Sequence, residues 1–111
     1  MLNKMNVYPI VATSNEKKMN PSKFIFELFV SGDSPISIRA IANIKALFEK
    51  HLMNQYILNV IDIFENPEMA VAENVLAIPL LIKKKPLPEI RMIGDFSNSE
   101  KVLHEFLIGL T

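Results

Sequence analysis

AIPLLIKKKPLPEIRMIGDFSNSEKVL, residues 77–103, is the stretch of the sequence that decides the fold. Two short apolar runs, residues 80–82 and 90–93, flank a basic turn over residues 83–88. Because this connection is too short for a crossover, the pattern predicts an antiparallel pair of strands. Gly94 and the residue after it end the second strand.

A helix is predicted directly after this strand pair. Ser97 or Asn98 can cap its first turn, and Glu100 sits where a capping box places an acid. Apolar residues then recur at helical spacing almost to the last residue. They are Val102, Leu103, Phe106, Leu107 and Leu110.

The sequence before this stretch predicts two parallel strands joined by a helix. Residues 24–30, FIFELFV, are nearly all apolar, which is typical of a strand covered on both faces. Glu27 interrupts the run at a cost, unless it reaches an edge or a partner. Pro35 suits the first position of a helix that runs to about His51, with Asp33 or Ser34 as its cap. Residues 56–63 are the second strand, so the crossover should be right-handed.

Residues 67–75 predict a short second helix, so the full order is β-α-β-α-β-β-α. This order is the thioredoxin topology. We therefore predict an α/β, thioredoxin-like fold: a mixed four-stranded sheet with helices on its faces. The 111 residues suit one domain, over residues 23–111. Residues 1–22 hold no period and are expected to form a flexible amino-terminal tail.

The composition limits the possible functions. Twelve basic and twelve acidic residues cancel, which argues against general nucleic-acid binding and favours protein partners or self-association as a dimer or tetramer. The lack of cysteine excludes disulfides, thiolate metal sites and a cysteine nucleophile. No apolar run approaches the roughly 20 residues that a membrane helix needs. We expect a cytoplasmic protein without a membrane partner.

Catalytic equipment is not apparent, because no nucleophile–base pair, metal-ligand cluster or phosphate loop appears. We therefore expect no enzymatic activity and no cofactor or metal. Two alternatives stay open. One is a redox-inactive sensor module that binds another protein. The other is a glutathione-using enzyme of the thioredoxin superfamily, for which Ser34 is the one well-placed hydroxyl.

Several motifs in order resemble the KaiB family of circadian-clock proteins. LFVSGDSPIS, residues 28–37, resembles L-Y-V-A-G-x-T-P-x-S, and NVIDIFENPEMA, residues 59–70, resembles K-V-I-D-V-x-x-N-P-x-L-A. Residues 77–81 resemble A-T-P-T-L. They hold Pro79 where thioredoxin-fold proteins carry a proline, usually cis, before the third strand. Residues 93–97 resemble I-G-D-L-S, and the match runs ungapped over about residues 24–107.

The resemblance implies a non-enzymatic partner of a KaiC-type ATPase, with a role in clock-like or stress signalling. Members of the family occupy two folds: a tetrameric ground state and a thioredoxin-like state that binds KaiC. Basic residues could dock an acidic surface of such a partner. For the three lysines, a solvated hairpin whose lysines deter edge pairing is an equally good interpretation. The two arginines could join this basic patch, although ordinary surface arginines are the favoured interpretation. The candidates are Arg39, Lys83, Lys84, Lys85 and Arg91.

The sequence departs from the clock pattern near its end. Clock proteins read V-L-I-G-L-D after E-K, whereas residues 102–107 read VLHEFL. Glu105 stands where the clock proteins have glycine. Glycine in a helix interior costs about 1 kcal/mol relative to alanine, and glutamate costs far less, so the replacement favours a helix here. We therefore predict a bias towards the thioredoxin-like fold. The residues expected to set this bias are Pro79, Gly94, Asp95, Glu105 and Leu107.

Overall fold

The computed structural model describes residues 7–11 and 23–107. From the second strand onwards it has the predicted order β-α-β-α-β-β-α, which is confirmed. The elements are β1 Val7–Val11, β2 Phe24–Val30, α1 Pro35–His51, β3 Tyr56–Asp62, α2 Pro67–Ala72, β4 Leu80–Lys85, β5 Ile90–Ile93 and α3 Ser99–Leu107.

The strands form one mixed sheet in the order β1-β3-β2-β4-β5. As predicted, β2 and β3 are parallel, and β4 and β5 are antiparallel. The sequence did not predict β1, which adds a fifth strand antiparallel to β3. Pro9 argued against a strand here, because a proline within a strand is tolerated only at the edge of a sheet, and β1 is such an edge strand. The rest of the predicted tail, residues 1–6 and 12–22, lies outside the described residues.

Helices α1 and α3 cover one face of the sheet. Phe26 on β2 lies at the centre of this layer and is fully buried. Its ring centroid is 4.3 Å from that of Phe48 on α1 and 6.1 Å from that of Phe106 on α3. Burying an aromatic side chain contributes roughly 1.5–3 kcal/mol. Phe26 therefore anchors the last helix on a strand from the first half of the chain.

Helix α2 covers only part of the opposite face. Met69 and Val75 pack there against a small buried cluster. The burial of β2 alternates at its start and becomes continuous over residues 28–30. The prediction of a strand covered on both faces therefore holds only for its last three residues. Glu27 lies on this face opposite Ile82 of the cluster and is partly buried. The buried cluster consists of Phe29, Ile61, Leu80 and Ile82.

Helix α2 ends at Ala72, three residues before the predicted end. Asn74 takes a left-handed conformation with φ of 56°, which asparagine tolerates better than most residues. Its N–H donates to the carbonyl of Val71 at 3.0 Å, and the N–H of Val75 donates to the carbonyl of Ala70 at 2.9 Å. These two bonds form a Schellman motif. The motif fixes Glu73 as the last residue before the turn.

The basic turn was predicted in the wrong place. Strand β4 continues through Lys85, so the three lysines belong to the strand and the turn covers residues 86–89. Pairing on both sides extends the strand, because Lys83 lies opposite Phe26 on β2 and Ile90 on β5. The first residue that lacks a ladder N–H is the proline at position 86.

The start of α3 is capped by Asn98 and not by Ser97. The side-chain Oδ1 of Asn98 accepts a hydrogen bond from the N–H of Lys101 at 3.1 Å. Glu100 is therefore the second helical residue, one position too early for the predicted capping box. Among the described residues, no helix has both the length and the apolar composition needed to cross a membrane.

Candidate partner-binding surface

The five basic residues predicted to contact a partner differ widely in solvent exposure. Their role in binding stays a prediction. Lys83 is the most buried, with 6% of its surface exposed. It projects on the same side of the sheet as Phe26, its partner in the pairing of β2 with β4. Burial lowers the pKa of its ammonium group. Lys83 therefore offers little surface to a partner.

Lys84 and Arg91 are held by two carboxylates that the sequence analysis missed. The Nζ of Lys84 lies 2.9 Å from Glu73 and 2.9 Å from Glu89. Arg91 lies 3.2 Å from Glu73 through Nη2 and 3.9 Å from Glu89 through Nε. We call these four residues the hairpin ion network. It neutralises two of the predicted contacts and joins the end of α2 to β4 and β5.

Lys85 and Arg39 are the predicted contacts that remain open to solvent. Lys85 is exposed at the end of β4, and no carboxylate of the described residues forms an ion pair with it. Arg39 lies on α1 with 58% of its side chain exposed, and its Nε is 3.5 Å from Oδ2 of Asp95. These two residues have the freest cationic groups of the predicted set.

Three of the predicted fold-bias residues meet at one corner. The N–H of Gly94 donates to the carbonyl of Pro79 at 3.1 Å, and Gly94 has a φ of 144°, which favours glycine. The Ile78–Pro79 peptide bond is cis, as the resemblance implied. The backbone carbonyl of Asp95, the residue after Gly94, accepts a 2.8 Å hydrogen bond from the side-chain amide of Asn43 on α1. The corner is therefore tied to the first half of the chain.

The carboxylate of Asp95 strengthens this corner. Its Oδ1 accepts a hydrogen bond from the N–H of Ser97 at 3.0 Å. This backbone bond, together with the Ser97 hydroxyl and the nearby Arg39, lowers the pKa of Asp95. The other two fold-bias residues lie apart on α3. Glu105 is exposed there, and Leu107 is its last residue.

Ser34 acts as the amino-terminal cap of α1, which was one of the two predicted caps. Its Oγ accepts from the N–H of Ser37 at 3.3 Å and lies 2.9 Å from the Ser37 hydroxyl. Ser37 is fully buried and also accepts from the N–H of Ser31. The hydroxyl of Ser34 is thus committed to the local turn.

In the described part of the chain, no three histidine, aspartate or glutamate side chains lie close enough together to hold a metal ion.

Glu27 differs from the other charged groups on this face. Its Oε1 is buried, and no described residue donates a hydrogen bond to it. Burial raises the pKa of Glu27, and the nearby Lys84 opposes this effect. The sequence showed that an acid in this apolar run is costly, but not which residues surround it.

Comparison with known families gives a match over most of the chain. The family model described as KaiB domain matches residues 27–107. A circadian clock oscillator protein KaiB from Synechococcus elongatus is 44% identical over 86 residues, covering 77% of this chain and 84% of that protein. The one from Thermosynechococcus vestitus is 42% identical over 80 residues, covering 72% and 74%.

Solved structures give a likeness in fold. The amino-terminal domain of Synechococcus elongatus SasA has a TM-score of 0.64 at 16% identity, covering 86% of this chain and 93% of that one. The Drosophila melanogaster thioredoxin Deadhead has a TM-score of 0.61 at 15% identity, covering 76% and 78%. At such identities the likeness establishes the thioredoxin-like fold and nothing about partners.

Proposed function

The chain belongs to the KaiB family, and on this premise we propose that it is a non-enzymatic protein that binds a KaiC-type ATPase in clock-like or stress signalling. The observation that carries the proposal is helix α3. The family resemblance links KaiC binding to the thioredoxin-like state, and residues 99–107 form the last helix of that state.

Side-chain packing supports a bias towards this state. Val102 and Phe106 turn inwards from α3 and are almost fully buried, while Glu105 occupies the exposed side. Glu105 in place of the family's glycine stabilises helix α3 by roughly the difference in their helix propensities, up to about 1 kcal/mol. Two folds separated by a few kcal/mol would be visibly rebalanced by such a change.

Exposure supports Lys85 and Arg39 as the cationic contacts with the ATPase. Lys84 and Arg91 would act indirectly, because their charges already face Glu73 and Glu89. Charge reversal at either of these two would disturb the ion network as well as any interface. Lys85 is therefore the cleanest residue with which to test the surface.

The experiment is a binding titration against the KaiC-type ATPase of the same organism, in ATP and in ADP. We compare wild type with Lys85→Glu and with Lys45→Glu, a charge reversal at an exposed position of α1. We expect nucleotide-dependent binding that Lys85→Glu weakens about fivefold or more, as an interfacial charge worth about 1 kcal/mol predicts. Lys45→Glu should bind like wild type.

Each outcome separates the partner from the surface. Binding that survives Lys85→Glu keeps the ATPase as partner and rejects the hairpin end as contact. Absence of binding in both ATP and ADP rejects the proposed function. Light scattering on the same samples measures whether the protein is a monomer, dimer or tetramer, since self-association stays a prediction.

The glutathione-using alternative has less support. Its activating hydroxyl would be Ser34, whose Oγ is bound to Ser37 as the helix cap. A conjugation assay with the intact protein tests it directly. Turnover that Ser34→Ala abolishes, without unfolding α1, would favour this alternative over the binding role.

A further inference from the structure

Glu27 occupies an unusual place for a carboxylate. It lies in β2, which has β3 on one side and β4 on the other. Its partners across the sheet are Asn59 on β3 and Ile82 on β4, neither of which is charged. The Oε1 atom is buried without a hydrogen-bond donor from the described residues. A buried carboxylate oxygen without a donor costs free energy when the group is ionised.

The charges that act on Glu27 all come from the hairpin ion network. Lys84 follows Ile82 by two residues on β4, at a shift in register that leaves it without a Cα partner on β2. Arg91 lies opposite Ile82 on β5. Glu73 at the end of α2 and Glu89 in the turn complete the set, and all four influence the Glu27 carboxyl.

The charge balance of this cluster depends on one proton. Glu73 and Glu89 match the charges of Lys84 and Arg91 through the four ion pairs described above. A neutral Glu27 leaves this balance intact. An ionised Glu27 adds a third carboxylate that competes for Lys84, in a position where water does not solvate its Oε1.

We propose that Glu27 is a proton-operated latch: its neutral carboxyl lets Lys84 and Arg91 hold the end of α2 against β5, and its ionisation draws Lys84 from Glu73 and loosens that contact. Through this latch, the pH sets how readily the second half of the fold opens locally. It does not depend on the proposed ATPase partner.

The direction of the pH effect follows from the raised pKa of Glu27. The stabilisation is fully present below the pKa of an unfolded glutamate, about 4.3, and is lost as the pH rises through the higher folded value. Within that window the equilibrium constant for opening should rise by up to about tenfold per pH unit.

The first test is a ¹³C NMR titration of the glutamate side-chain carboxyls in the full wild-type chain. We expect Glu27 to titrate above the value of about 4.3 that an unfolded glutamate has. A Glu27 midpoint at or below that value overturns the proposal. This measurement needs no variant and so does not depend on how a substitution folds.

The second test is amide hydrogen exchange at Ile90 and Met92, the β5 residues whose N–H groups face β4 in this register, corrected for the intrinsic effect of pH. Wild type should lose protection as the pH rises from the acidic range to neutral, and Glu27→Gln should keep its protection. Glu68→Gln is the matched control and should behave like wild type. A Glu27→Gln protein with the wild-type pH dependence also overturns the proposal.

Discussion

Asn43 on α1 donates a 2.8 Å hydrogen bond from its side-chain amide to the backbone carbonyl of Asp95, 52 residues further along the chain. The bond joins the βαβ half of the protein to the corner between β5 and α3. Asp95 uses its carboxylate for Ser97 and Arg39, so its backbone and its side chain both hold the corner. The two halves therefore meet through a polar contact as well as through the aromatic core.

Asn43→Ala should lower the free energy of unfolding by about 1 kcal/mol, the usual net worth of such a hydrogen bond. The substitution removes the donor and leaves a partly buried carbonyl without it. Urea denaturation measures the loss. Lys45→Ala, at an exposed position on the same helix, should change stability by less than about 0.5 kcal/mol. Equal effects of the two substitutions would contradict the role given to Asn43.

Glu105→Gly should shift the protein away from the thioredoxin-like fold, because glycine weakens the interior of α3 by about 1 kcal/mol. Backbone chemical shifts across residues 99–107 measure the change. Ala46→Gly weakens α1 by a similar amount at an exposed position. It should lower overall stability without creating strand-like shifts in residues 99–107. Strand shifts over these residues in the dominant wild-type species would refute the predicted bias.

Lys83→Met should be no less stable than wild type near neutral pH, and up to about 1 kcal/mol more stable. The lowered pKa of the buried amine means that wild type regains stability as the pH rises towards the unfolded value of about 10.4. The advantage of the methionine should therefore shrink in alkaline solution. Denaturation curves at neutral and alkaline pH measure it. A large loss of stability in Lys83→Met would instead indicate that the ammonium has a favourable partner.

The order of the elements and the parallel pairing of the βαβ unit follow from local patterns. Apolar runs at strand and helix spacing, separated by glycine, proline and capping residues, specify each element within a short window. Ser34 before Pro35 is such a signal, and it caps α1 as predicted. The weak points were the ends of elements. Pairing with neighbours lengthened β4, and a left-handed Asn74 shortened α2.

The sequence by itself determined the family and the fold class, because both depend on which residues are present and on their spacing. Only the tertiary structure decided which of the three lysines has an exposed ammonium group, unpaired among the described residues, that could contact a partner. In consecutive positions of β4, Lys83 turns into the core, Lys84 is paired and Lys85 is exposed. The physical reason is that strand register sets the face of each side chain, and that Glu73 and Glu89 reach Lys84 only after folding.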